Sequence, residues 1–213
     1  MNTMNANTFI RCRTGSYRAL VAITVLATLA AGVTAARAQA DDDDPGIPPA
    51  PVPLPVVTPT ANGWQPKFPF PYDQMKGSVT DAEVNAEREM CQWFNAQYEP
   101  LKLQIERMND TIIRNNGNFD TNDVPRQLDI VTANIDQSVD FLTPRVQTLT
   151  QSYDHSGDMY FPLYEGDSFY GLWQQLSNVS AGLKGHQRTW FSGPSFLRAQ
   201  HWGSKINRSH VCR

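Results

Sequence analysis

The sequence predicts an all-α fold, a small helix bundle, on three observations. Apolar side chains recur at alternating steps of three and four residues through three long stretches, which places them along one face of a helix. Start and stop signals bracket those stretches. No run alternates with the period of two that a strand requires, and no internal repeat is present.

The chain has 213 residues, enough for one domain with additions. Residues 1–40 read as a secretory signal peptide. Arg11, Arg13 and Arg18 give a positive start, Ala19 to Val33 is an apolar run short of a comfortable bilayer span, and Ala38-Gln39-Ala40 fits small-x-small cleavage. An uncleaved anchor is the competing reading; cleavage near Ala40 and a secreted or extracytoplasmic destination are expected. Cleavage would remove four arginines and no acid, leaving 14 bases against 21 acids, a net charge of −7. All 21 acids lie in 41–167 with 8 bases, whereas 168–213 holds 6 bases and no acid. This asymmetry implies either docking of the tail on the acidic part or a basic surface for an anionic partner.

Residues 41–78 read as a linker. Asp41 to Asp44 is an acidic block, and ten prolines fall between Pro45 and Pro71. Proline fixes φ and removes amide donors, so a disordered, extended polyproline arm acting as spacer is expected. Trp64, Phe68, Phe70 and Tyr72 are too many aromatics for a free linker, so that end is expected to lie against the helical domain, 79–213.

The first helix is predicted from Thr80 to about Asn116. Thr80-Asp81-Ala82-Glu83 has the capping-box form, and the apolar seam is Cys91, Phe94, Tyr98, Leu101, Ile105, Met108 and Ile112. Pro100 breaks the pattern of bonds but not the seam, so a kink is expected. Gly117 supplies a left-handed stop. A second helix from Asp123–Pro125 carries Leu128, Val131, Ile135, Val139, Leu142, Val146, Leu149 and Tyr153, with Thr143 a candidate cap restarting it at Pro144. The short connection makes these two an antiparallel hairpin. A third long helix from Asp167 or Ser168 has Phe169, Leu172, Leu176, Val179, Leu183, His186 and Trp190 on its seam, with Gly171, Gly182 and Gly185 as places of close approach. A short fourth helix is predicted from a Ser195 cap to about Trp202.

Cys12 leaves with the signal, so Cys91 and Cys212 remain as an even pair in an oxidising compartment, and a bridge between them is expected.

No catalytic signature of the common enzyme classes is present, so the chain is read as a non-enzyme without a cofactor. The acidic loop 154–167 offers Asp154, His155 and Asp158 as metal candidates, though exposed turns use the same residue types. The basic, aromatic C-terminal segment carries the functional lead. Lys184, Arg188, Arg198, Lys205 and Arg208 interleave with Trp190 and Trp202 and suit an envelope polyanion, an anionic membrane surface or a protein partner. Nucleic acid is not expected for an acidic, exported chain. The sequence therefore points to an exported, non-catalytic protein that binds or scaffolds a cell-envelope or extracellular component. A small helical enzyme or metal protein using the acidic loop, and a carrier of an apolar ligand between kinked helices, are the alternatives. Nothing in the sequence decides the oligomeric state.

Overall fold

The computed structural model describes residues 48–149, 152–153 and 159–213. The expected signal peptide, the acidic block and the candidates Asp154, His155 and Asp158 lie outside the described residues.

Helix α1 (Asp81–Trp93) begins at the predicted capping box. The Thr80 hydroxyl accepts from the Glu83 amide, and the Glu83 carboxylate accepts from the Thr80 amide at 2.7 Å. A π-helical segment, Phe94–Tyr98, joins it to α2 (Glu99–Arg114). Pro100 explains that segment. An α turn would leave the Ala96 carbonyl without a donor and in collision with the proline ring, and widening the turn relieves both. The predicted kink is thus a local widening of one helix, and all seven seam residues are buried. Asn116 and Gly117 both take left-handed backbone, and the Gly117 amide donates back to the Ile112 carbonyl at 2.8 Å, which closes α2.

Helix α3 (Val124–Leu149) runs through Pro144 without a restart. Thr143 is no cap. Its hydroxyl donates to the Val139 carbonyl one turn back and accepts from the Trp173 indole at 2.9 Å. A two-residue antiparallel ladder, β1 (Ser152–Tyr153) with β2 (Met159–Tyr160), follows. Helix α4 (Gly166–Lys184) carries the predicted seam only as far as Leu183. His186 lies beyond its end with left-handed backbone, stacked on Phe119. Trp190 sits on the one-turn helix α5 (Arg188–Phe191) and is half exposed.

The fourth long helix is not short. Helix α6 spans Pro194–Ser209, starting at Gly193 rather than at a Ser195 cap and running seven residues past Trp202. Gly203, a weak helix former, is required inside this helix because a Cβ there would fall 2.0 Å from the Tyr98 ring. Gly171 and Gly182 are likewise covered, by Trp202 and by Trp190 with the Phe191 amide.

Cross-contacts define the arrangement. Arg145 pairs with Glu89 and Asn134 with Gln104, so α3 runs antiparallel to α1 and α2. Asp136 meets Ser180 and Thr143 meets Trp173, so α4 is antiparallel to α3; Lys205 meets Asp167, so α6 is antiparallel to α4. Gln200 reaches Glu106 and Cys212 reaches Cys91, which closes the ring of four helical rods.

The proline-rich arm corrects an expectation. It is extended, but residues 52–68 are neither free nor disordered. Asn134 donates to the Val52 carbonyl and accepts from the Leu54 amide, and Gln92 holds both the amide and the carbonyl of Thr60. Gln97 and Gln137 both donate to the Pro55 carbonyl. Polyproline backbone has no internal hydrogen bonds, so its carbonyls and rare amides are open to side-chain carboxamides. Leu54, Val57, Trp64 and Phe68 pack against the core, and Tyr72 meets Tyr164 edge-on at 5.5 Å, whereas Phe70 is 82% exposed.

Candidate functional site

Sequence segregation becomes segregation by face. The only acid in α4 is Asp167, and α5 and α6 have none, while the other acids of the described α-helices lie on α1, α2 and α3. On α6, core positions Phe196, Ala199, Gly203 and Ile206 repeat at three and four residues. Arg198, His201, Lys205 and Arg208 repeat at the same steps, two residues on, and so occupy the opposite face. Arg198, His201 and Arg208 are exposed.

The bases divide into two groups. Lys184 pairs with Asp136 at 2.8 Å, and Lys205 with Asp167 at 2.8 Å and Glu165 at 3.5 Å. Burial works against the Lys205 charge, but the Asp167 hydrogen bond and the two carboxylates leave its pKa raised. These two lysines neutralise acids at the border of the basic face. Arg188, Arg198 and Arg208 are exposed and have no ion pair among the described residues. Of the two tryptophans, Trp190 is 50% exposed, and with Leu197 at 62% it puts apolar surface near the start of α6. Trp202 instead lies over Gly171, with the Lys205 ammonium 5.4 Å from its ring. It holds α6 to α4.

Cys91 and Cys212 are bridged, with Cα atoms 4.9 Å apart. The bridge ties the chain end to α1.

Two features went unread in the sequence. The first is an open cleft of about 560 Å³ between the π segment and α6. Phe94 and Tyr98, stacked at 4.7 Å, form its floor, and Asn95, Gln200, Ser204 and Asn207 line it with amide and hydroxyl groups. Its two charges, Glu99 and Lys102, pair with each other at 2.5 Å. Burial, then Glu99 and Glu106, push the Tyr98 phenol's pKa up, so the ring is neutral there. The second is Glu87, which is buried with neither carboxylate oxygen hydrogen-bonded among the described residues. Desolvation and then the nearby charge of Glu165 hold its pKa well above the usual carboxylate range. Glu165 is also buried, in left-handed backbone, accepting from Ser168 and facing Lys205. A sequence signal existed for Glu87, which lies four residues before Cys91 and so on its face. For the cleft there was none, because its walls are far apart in sequence.

Among the described residues no three His, Cys, Asp or Glu side chains converge as a metal set. The apolar space at the bend, among Tyr98, Leu101, Ile105, Leu176, Phe196 and Ala199, is about 10 Å³, room for one water at most. No family model, curated protein or solved structure matches the chain. The bundle architecture carries no function by itself, because helix bundles host many.

Proposed function

We propose that this is an exported, non-catalytic protein that docks on an anionic component of the cell envelope or extracellular space through its α4–α6 face. One observation carries the reading. The exposed arginines Arg188, Arg198 and Arg208 have no ion-pair partner among the described residues, on a stretch of 46 residues free of acid after Asp167. Arginine suits this task because its planar fork matches phosphate, sulfate and carboxylate groups. Half-exposed Trp190 beside such charge adds apolar contact at low entropic cost. The opposite, acidic side repels the same surface and so orients the molecule on it. The export reading rests on the N-terminal sequence pattern, and the Cys91–Cys212 bridge accords with an oxidising destination. The carrier alternative gains no support from the small apolar space at the bend.

The test is sedimentation of the purified, oxidised protein with isolated envelope material and with vesicles of anionic or neutral phospholipid, at low and high salt. Binding that weakens with salt and falls at least tenfold in an Arg198→Gln, Arg208→Gln double variant is expected. Salt-independent binding, or equal binding by the variant, would overturn the reading. Binding to vesicles but not to polymer, or the reverse, identifies the anion.

A further inference from the structure

A second open cavity, of about 510 Å³, lies over the Cys91–Cys212 bridge. Its walls come from four parts of the chain. Helix α1 supplies Arg88 and Gln92, the π segment Asn95, the arm Trp64 and its neighbours, and the last turn Cys212 and Arg213.

Each wall is held without help from a ligand. The disulfide fastens the last turn to α1. Asn95 donates to the Cys212 carbonyl at 3.0 Å, and the Trp64 indole donates to the Val211 carbonyl at 2.8 Å. The Lys67 ammonium bonds the His210 carbonyl, and Gln92 grips Thr60 through both of its polar atoms. The cavity is therefore preformed, and binding in it would need little ordering of the chain.

Two arginines are among the residues that line it, and no aspartate or glutamate is. The Arg88 side chain is half-buried yet makes no hydrogen bond or ion pair among the described residues, and its Nε is completely buried. Arg213 has a single long contact, 3.4 Å, to Asn207. The contrast with Arg145 is informative. That arginine is also half-buried, but Glu89 lies 2.6 Å away and the Phe141 carbonyl accepts a further bond. A guanidinium whose Nε is withdrawn from water without a partner carries a cost, and an oxyanion is the group its fork geometry accepts.

We propose that this pocket binds an oxyanion, the phosphate, sulfate or carboxylate group of a ligand, between Arg88 and Arg213. Carboxamides of Asn62, Gln65 and Asn95 supply neutral donors around it. The site stands apart from the exposed stripe of α6 and does not depend on that stripe having a partner.

The experiment is thermal unfolding and calorimetric titration of the oxidised protein with inorganic phosphate, sulfate and citrate, at constant ionic strength set with chloride. Saturable binding of at least one anion, weakened tenfold or more by Arg88→Gln and partly retained by Arg88→Lys, is expected. The Arg198→Gln, Arg208→Gln variant should bind the same anion within twofold of the parent. Preference for phosphate or sulfate over citrate would assign a tetrahedral anion, and the reverse a carboxylate. Two results overturn the proposal: no saturable binding of any of the three, or equal binding by the parent and a folded, disulfide-bonded Arg88→Gln variant. Loss of binding in the α6 variant but not in Arg88→Gln would overturn it too, since the ion would then be on the outer face.

Discussion

Glu87→Gln should make this protein more stable above the ordinary carboxylate range, and increasingly so as pH rises. The Glu87 side chain is 1% exposed, and both of its oxygens lack partners among the described residues. Burial favours the neutral carboxyl, and the nearby Glu165 opposes a second negative charge. In the unfolded chain the same group ionises normally, near pH 4 to 4.5. Between that value and its own raised one, the folded chain holds a proton that the unfolded chain has lost. Unfolding then releases a proton, so stability is unaffected below this window and falls through it, by about 1.4 kcal/mol per pH unit for one group. Once Glu87 ionises in the folded protein as well, the loss levels off. Glutamine copies the shape and polarity of the neutral acid but cannot ionise, so the variant lacks this slope. Urea unfolding at half-unit steps from pH 4.5 upward gives the difference directly. Near-equal stability at the acid end, then a gap widening by about 1.4 kcal/mol per unit, is the expected result. Parallel curves would refute the argument. A variant less stable at every pH would show instead that the carboxylate is charged and paired.

The remaining predictions concern what holds the bundle together. Replacing both Cys91 and Cys212 by serine frees a loop with a sequence separation of 121, for which the chain-entropy relation gives a loss of about 5 kcal/mol, read as a lower denaturation midpoint. Asn134→Leu removes both of that side chain's bonds to the arm at Val52 and Leu54, together with its bond to Gln104. Stability should fall by about 1–3 kcal/mol, and hydrogen exchange at the Leu54 amide should rise more than in the helices. Gly203→Ala drives a methyl to 2.0 Å from the Tyr98 ring, so it should cost more than the helix-propensity gain of about 1 kcal/mol restores, lowering the melting temperature. Gly117→Ala, with open space around it but φ of +79°, should cost about 1 kcal/mol from backbone strain alone.

The sequence by itself determined the helical class, the seam positions and the disulfide partners. Steps of three and four fix which side chains share a face, and a helix of that pattern has only one apolar side to bury. Every seam residue of the first helix is accordingly buried. With Cys12 set aside as part of the expected signal peptide, the two remaining cysteines allowed one pairing. Segregation of charge was also legible, because an acid-free stretch stays acid-free however it folds.

Tertiary structure decided the rest, for reasons that spacing cannot express. His186 and Trp190 continue the period of α4 on paper, but the helix stops at Lys184 and the close approach of the chain at Gly182 turns it away. Gly203 has low helical propensity, yet packing against Tyr98 keeps α6 going to Ser209. The docked arm was invisible because proline content sets the conformation of a segment but not what its carbonyls meet. Asn134 and Gln92 lie 82 and 32 residues from the positions they hold. Which arginines stay unpaired was equally undecided, since Lys184 and Arg198 differ in no local pattern. Only the fold sets Asp136 beside one and, among the described residues, no acidic partner beside the other. Local physics chose the helices, and long-range contacts chose which of their charges face outward unpaired.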